Sequence, residues 1–408
     1  MKKLVMKFGG SSVQSILHMQ NVANRVLLKK QEGYEVVVVL SAMGKTTNQL
    51  LDLAKQVTKY PSKRETDMLI STGEQVSISL FTMILKARNI DAVSLTGLQA
   101  GIKTFGEHLN NKIDDIDTSM IEKHLNKHQI VVVAGFQGVN DLGEITTLGR
   151  GGSDTSAVAI AVKLACDCEI YTDVDGIYTT DPKVFSKAKK LTSISYEEMK
   201  EMAFLGAKVM EPRSIEIAHQ HHVKIYVASS LTDEKGTYIM EDTMLEQQSI
   251  TGLSVSDKVM MVTLRQVPNK INIVADLFMN LAQNEVNVDM ISQSLAVPPY
   301  LNISFTAGAN DFAQINEVLD KMILMYPSIE VVIDDQVVKV SVVGQAMRHQ
   351  SGVAAKLFKV LSENNIEFKL VTTSEISISY TIAKDLKDKA IIAIADAFDL
   401  GDQNDING

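Results

Sequence analysis

The residues with the clearest capacity for chemistry lie between Thr147 and Lys183. Thr147-Leu148-Gly149-Arg150-Gly151-Gly152-Ser153-Asp154 opens the stretch, and an Asp- and Gly-rich run from Tyr171 to Lys183 closes it. Glycines at 149, 151 and 152 open backbone conformations closed to other residues and let a ligand approach closely. The amides of a helix beginning after Asp154 would face that ligand, and the helix dipole favours an anion there. Arg150 adds a planar fork that fits a carboxylate or a phosphate through two parallel bonds. A second group, Lys7-Phe8-Gly9-Gly10, suits a polyphosphate by the same logic. It lacks the spacer and the Gly-Lys-Ser/Thr ending of a Walker loop. On residue types alone, each group also fits a surface turn with its cation in solvent. Glu74 stands near apolar Leu69, Ile70 and Val76. A carboxylate there is either exposed or holds a cation, because burying it unpaired is costly.

The elements around these groups must hold them at one edge. Leu4-Val5-Met6 reads as a strand entering Lys7, followed by a helical face through Val13, Ile16, Val22, Ala23 and Val26, with Ser11 or Ser12 as its cap. Val36 to Leu40 and Ile130 to Ala134 are continuously apolar, as parallel strands buried on both faces are. The first feeds a loop from Ser41 to Thr47, and ligands of open α/β sheets gather at such strand ends. Helices are expected through Leu50–Val57, over Thr66 to Leu85 and over Thr155 to Leu164, and a short strand at Glu169–Tyr171. Strands alternating with helices up to Val227 give a three-layer α/β domain. Beyond Lys258 the chain repeats itself. Asn284 to Ser294 aligns with Asn364 to Ser374, an offset of 80 residues. Each copy sits in a strand–helix–strand–strand–helix order, a ferredoxin-like unit used twice. The first copy has a closing strand at Ile329–Ile333 and the second does not. Ile250 to Val255 could supply it, which makes the first unit an insertion within the second.

Composition narrows the class. With 408 residues, 45% hydrophobic and 22% charged, two or three globular domains are expected. The net charge of −9 with dispersed basic residues gives nucleic acid no electrostatic footing. Cys166 and Cys168 cannot frame a disulfide set, and their spacing without a second cluster is a poor zinc signal, so both read as small core residues of a reduced protein. His219, His221 and His222 likewise lack further ligands, and no protein metal site is expected. Only three apolar residues separate Lys3 from Lys7, and no apolar run approaches ~18 residues, so neither a signal peptide nor a membrane span is expected. A cytoplasmic location follows as the expectation.

The GRGGSD string, the TDVDG loop, KFGG at the start and the C-terminal pair together resemble aspartokinase, of the amino-acid kinase superfamily. The likeness runs from Lys7 to about Leu400. It implies an amino-acid kinase domain over 1–245 with a mainly parallel central sheet. Paired ACT regulatory domains follow over 246–400, the first at about 258–335 inserted in a second made of 246–257 and 336–400. A frayed tail is expected over 401–408. It also implies ATP-dependent phosphorylation of the β-carboxylate of L-aspartate, with Mg²⁺ carried mainly by phosphate oxygens. Lys7 and the amides of Gly9 and Gly10, beside Phe8, would take the γ-phosphoryl end, with Asp154 orienting Lys7. Arg150 and Ser153 would hold a substrate carboxylate, Glu74 the substrate ammonium, and Ser41 and Thr47 would line the pocket. Thr172, Asp173, Tyr178, Asp181 and Lys183 would shape the nucleotide site, and Lys208, by itself a plain helix lysine, would reach the phosphates. Lys183 stands where many relatives carry Arg, so charge is kept and the bidentate contact is lost. A kinase for glutamate, acetylglutamate or a nucleotide is the nearest rival, and a silent amino-acid sensor a rival of another class.

The same resemblance implies a lysine-type effector between ACT units of two subunits, in a homodimer or a heterotetramer with a separately translated regulatory subunit. Asn287, Val288, Asp289 and Gln293 match the effector-facing strand. Two segments depart from the family. Val267-Pro268-Asn269-Lys270 stands where a Pro-Gly pair is common, and His349-Gln350-Ser351-Gly352-Val353-Ala354 where His-Pro-Gly-Val-Thr is common. Lys270 would place a cation where a lysine effector sits, and Ala354 lacks the hydroxyl of Thr. Because Asn287, Asp289 and Gln293 still match, the first unit is expected to keep a lysine-type site and the second to serve the dimer interface more than a second effector.

Overall fold

The computed structural model describes residues 2–241 and 249–402, so the expected domain boundary at 245/246 lies outside the described residues. The chain is α/β and divides into two compact units. The first comprises the chain up to Ile177, Lys190–Ala203 and the segment from Lys208; the second comprises Tyr178–Lys189, Phe204–Ala207 and the C-terminal part.

The first unit is built on an eight-stranded sheet. At its centre Asp167–Thr172, Lys2–Phe8, Tyr34–Leu40, Ile130–Ala134 and Ala92–Leu95 lie side by side in that order and run parallel. The register pairs Phe8 with both Leu40 and Tyr171, and Leu40 with Ala134. The carboxyl ends of these strands therefore finish in one line, which is where the loops of interest begin. Alternation along a strand sends successive side chains to opposite faces. Leu4, Met6 and Phe8 enter a core with Met19, Val22, Ala23 and Val26 of the helix Ile16–Gln31 and with Ile78, Phe81 and Leu85 of the helix Thr72–Ala87. Lys7 must then face the other way, toward the side where the helix Gly152–Leu164 packs on the same strand.

Several local expectations shift. The glycine turn after Phe8 enters a 3₁₀ turn, Gly10–Val13, and the helix starts later, capped by the Ser15 hydroxyl on the His18 N–H rather than by Ser11 or Ser12. The helix expected from Thr66 divides at Ser71 into Lys63–Ile70 and Thr72–Ala87. Counted as one stretch, Lys63–Ala87 is long and apolar enough to cross a bilayer by length and composition, against the expectation of no such run. Its Ile70, Ile78, Phe81 and Leu85 are instead buried inside the unit. A small sheet that the sequence reading missed, ordered Lys112–Ile116, Ile102–Phe105, Gln137–Val139, Ile145–Thr147, leads straight into the Gly-rich loop.

The second unit holds two four-stranded antiparallel sheets. Val288–Leu295, Tyr300–Gly308, Val259–Pro268 and Glu330–Asp334 form one, and Gly252–Ser256, Val337–Val343, Ser377–Ala383 and Phe368–Thr373 the other. The helices Ile271–Gln283 and Phe312–Met325 cover the first, and Val353–Glu363 and Lys387–Ala397 the second. Phe185 and Ala188 join the core of the second sheet, Tyr178 packs against it, and the Thr179 hydroxyl donates to Leu400 O at 2.6 Å. Residues 178–189 thus belong to this unit rather than to an uninterrupted 1–245 domain. Gly401 is not frayed, since it bridges to Ala188 and the Asp402 N–H donates to Lys187 O; 403–408 lie outside the described residues.

Candidate active site

Four loops meet at the carboxyl ends of the central strands. Lys7 is buried, and its Nζ lies 2.6 Å from Asp154 Oδ1 as an ion pair whose approach lies off the hydrogen-bond direction. Asp154 and Ser153 already belong to the helix Gly152–Leu164, which begins three residues earlier than Thr155. Gly151 precedes it with φ +66°, a conformation other residues rarely adopt, and a Cβ there would fall 2.5 Å from Glu211 Cβ. Arg150, in the turn before, is exposed. Ser41 donates its N–H to Phe8 O at 3.2 Å, which ties the second loop to the first. Thr47 stands in the first turn of the helix Thr46–Val57 and is half-buried.

Glu74 is the least ordinary group here. It is 2% exposed, Oε1 accepts the Ala42 N–H at 3.0 Å, and Oε2 has no hydrogen-bond partner among the described residues. Burial pushes its carboxyl up to about 8, with the Ala42 bond opposing the shift only in part. Of the two expectations, exposure is therefore excluded. A buried carboxylate with one oxygen unused is poised for a cation or a proton, since an ionised form without a partner is costly. Gly73 makes this placement possible: a Cβ there would sit 2.9 Å from Ala42 Cβ, so only glycine lets the helix start come this close to the loop.

The expected phosphate cradle is narrower than its residues suggested. The Gly9 N–H donates to Tyr171 O at 3.2 Å, so of the two amides expected to meet a phosphoryl group, Gly9's is already bonded. Phe8 stacks on Tyr171 at 4.9 Å between ring centroids and is fully buried, which makes it a wall and not a ligand contact. Thr172 is half-buried with its hydroxyl bonded to Asp173 at 2.9 Å, and Asp173 is exposed. Lys208 is exposed in a turn between Tyr196–Phe204 and Pro212–Gln220, not in a helix. Tyr178, Asp181 and Lys183 lie in the second unit, where Asp181 accepts the Lys183 N–H at 2.9 Å and closes a turn.

Three acids and bases escaped the sequence reading. Glu211 packs on Gly151, and burial followed by the nearby Asp154 charge raises its carboxyl, against Arg213 and Arg150. Arg213, lowered by burial, donates to Asn111 O and Leu148 O and so holds the Gly-rich loop from beneath. Asp67 is fully buried and accepts from Leu109 N–H and the Thr147 hydroxyl. Its only signal was a carboxylate directly before the apolar Met68, Leu69 and Ile70.

In the second unit, Asn287 and Asp289 line one cavity of about 230 Å³. Asp289 is ion-paired there with Lys339, a buried residue of the strand Val337–Val343. Val288 packs against the core of its own sheet, and neither it nor Gln293 lines this cavity. The cations at the cavity are Lys339 and Lys258, not Lys270, which precedes the helix Ile271–Gln283. Cys166 and Cys168 are both free thiols, the second fully buried.

Residues 2–229 match the model of the amino acid kinase family, and residues 340–398 that of an ACT domain. The chain is 48% identical to an aspartokinase of Bacillus sp. (strain MGA3) over 401 residues, covering 97% of each. It is 47% identical to aspartokinase 2 of Bacillus subtilis (strain 168), covering 97% of this chain and 98% of the relative. Among solved structures, E. coli aspartokinase III in complex with aspartate and ADP aligns with a TM-score of 0.82 at 24% identity, covering 97% and 99% of the two chains. At that identity the likeness is one of fold.

Proposed function

The chain belongs to the aspartokinase family, and from that premise we propose that it transfers the γ-phosphoryl group of ATP to the β-carboxylate of L-aspartate. A carboxylate oxygen attacks the γ-phosphorus, the bond to the bridging oxygen of ADP breaks, and 4-phospho-L-aspartate forms. No base is needed, because the nucleophile is ionised near neutrality with a reference pKa of ~3.9. Catalysis reduces to aligning two anions and offsetting the charge of the group in flight.

The observation that carries this reading is Glu74, buried with Oε2 unpartnered at the same strand ends as the Lys7–Asp154 pair. An amino-acid ammonium is the cation that this carboxylate would take, and its arrival would leave Glu74 ionised. Arg150 and Ser153 would hold the substrate's non-reacting carboxylate across the Gly-rich turn. Lys7, oriented by Asp154, would meet the phosphoryl oxygens as charge passes between them. Magnesium, when bound with the nucleotide, would neutralise phosphate charge. Phosphate oxygens would be its main ligands, since magnesium is commonly held by substrate phosphates with few protein groups.

The proposal extends to regulation. A lysine-type effector would act at the cavity of Asn287 and Asp289, whose size is below the roughly 300–1,000 Å³ of ordinary ligand pockets and suits a single amino acid. Its ammonium would have to displace Lys339 from Asp289. The step would stand at the head of lysine, threonine and methionine biosynthesis, in the cytoplasm. Hydroxylamine trapping of the acyl phosphate tests the reaction, with L-aspartate against L-glutamate and with lysine or threonine added. Trapped product from aspartate supports it; product from glutamate alone overturns it.

A further inference from the structure

The two substrate grips of the proposed site sit on different elements. Glu74 opens the helix Thr72–Ala87, whereas Arg150 and Ser153 follow the strand Ile145–Thr147. Something must fix the distance between them. The ammonium and the non-reacting carboxylate are spaced alike in aspartate and glutamate, so only a grip that pins the shared Cα lets one side-chain methylene decide whether the reacting carboxylate meets the γ-phosphorus. Asp67 and Ser71, on the helical segment that runs into Glu74, are each bonded to the hairpin that runs into Arg150. Asp67 Oδ1 accepts the Thr147 hydroxyl, and Ser71 O accepts Gln137 Nε2 at 2.8 Å. Gln137 and Thr147 are themselves cross-strand partners, so the two bonds and the ladder close a truss.

The same carboxylate braces the outer wall of the Gly-rich loop. Asp67 accepts the Leu109 N–H at 3.1 Å, and His108 Nδ1 lies 2.7 Å from its Oδ2. The segment it holds lies directly on the loop: the Asn111 N–H donates to Thr147 O at 3.0 Å, and a Cβ on Gly149 would fall 3.0 Å from Leu109 O. His108 Nε2 continues outward to Glu144 at 3.3 Å, which Arg64 Nε meets at 3.0 Å. One fully buried carboxylate thus ties three elements together, and hydrogen bonds to a charged acceptor are the strong and directional ones. No ligand-facing role is left for it.

We infer that Asp67 is a positioning residue that sets the span between the ammonium grip at Glu74 and the carboxylate grip at Arg150, and so determines which acidic amino acid is phosphorylated. The inference rests on the aspartate-kinase reading of those two grips. A methylene by itself is a weak basis for discrimination in a soft pocket, so a rigid span is what makes the difference count.

The test uses Thr147→Val, which removes the hydroxyl and leaves the other contacts of Asp67, together with Asp67→Asn and the conservative Thr147→Ser. KM and kcat are measured for L-aspartate, L-glutamate and ATP. The expected result for Thr147→Val and Asp67→Asn is a rise of about tenfold or more in KM for aspartate and a comparable fall in the aspartate-to-glutamate ratio of kcat/KM, because small misplacements of bound groups are costly. KM for ATP should stay within about threefold, and Thr147→Ser should restore the ratio. If folded Thr147→Val keeps both the aspartate KM and the ratio within about twofold of wild type, or raises the ATP KM in parallel, the inference is overturned. Should Asp67→Asn fail to fold, Thr147→Val decides alone. Wild-type enzyme that turns over no aspartate sinks the underlying reading instead; aspartate weakened by Glu74→Gln and not by Thr147→Val sinks only this inference.

Discussion

At the scale of single residues, the site depends on charges placed where water is scarce. Lys7 is buried beside Asp154, so its ammonium is held rather than hydrated. Lys7→Ala should lower turnover by on the order of 10²–10³, the usual loss when a positioned electrostatic group is removed. Activity within a few-fold of wild type, with an unchanged circular dichroism spectrum, would take Lys7 out of the mechanism. Glu74 makes a prediction with a sign. Burial holds its carboxyl at about 8, against 4.5 for an unperturbed glutamate. Between those values the folded chain keeps a proton that the unfolded chain has released, so stability falls as pH rises from about 4.5 to 8. Glu74→Gln cannot titrate and should lose less, by on the order of a few kcal/mol across that window. Urea midpoints at the two ends of the window measure it. In kinetics the ionised form is the one that takes an ammonium. KM for aspartate in the wild type should therefore fall as pH rises toward about 8, whereas in Glu74→Gln it should be high and flat, with the ATP KM little changed.

At the scale of elements, the strand Ser377–Ala383 carries a polar atom with no use in packing. Tyr380 is fully buried in the core of the second sheet, and its hydroxyl has no hydrogen-bond partner among the described residues. Such a group sacrifices its bonds to water on folding. Tyr380→Phe keeps the ring and removes the cost, so the variant should be as stable as wild type or more stable by about 1 kcal/mol. A loss of more than that in thermal or urea unfolding would mean that the hydroxyl has a partner in solution. The strands Val288–Leu295 and Val337–Val343 meet through Asp289 and Lys339, one from each sheet. Removing either partner breaks the ion pair and frees the other, which makes Lys339→Met and Asp289→Ala informative in opposite directions. With Lys339 gone, Asp289 is available and lysine should inhibit at lower concentration. With Asp289 gone, inhibition should vanish while the uninhibited rate stays. If both variants respond to lysine as wild type does, the effector is bound elsewhere.

At the scale of the whole molecule, the proposed effector cavity and the proposed substrate residues fall in different compact units. Any feedback is then a coupling free energy between them, and linkage makes it reciprocal. If saturating lysine weakens aspartate binding by some factor, saturating aspartate must weaken lysine binding by the same factor. Calorimetric titrations of each ligand in the presence of the other should return equal factors, usually about 5–150-fold for such coupling. Titrations showing no mutual effect, with lysine bound, would make the second unit a passive binder.

Local properties of the chain were legible without a structure. Continuous apolar runs mark Val36–Leu40 and Ile130–Ala134 because a strand's burial on both faces is written in its own residues. The 80-residue repeat marks two similar sheets because each copy must form the same elements. Glycine spacing in GRGGSD marks a close approach because only glycine reaches φ +66° cheaply at position 151. What the tertiary structure alone decided is everything that depends on neighbours distant along the chain. From its own residues Glu74 could be exposed or hold a cation; the loop at Ala42 closes over it, and its proton affinity is set by that loss of water. Asp67 gave no sign of its three elements, since its partners lie near 108 and 147. The same holds for residues 178–189, which continue the first unit in sequence but bury Phe185 and Ala188 in the second. A carboxylate's or a cation's role is fixed by which groups replace its water, and no spacing in the chain encodes that.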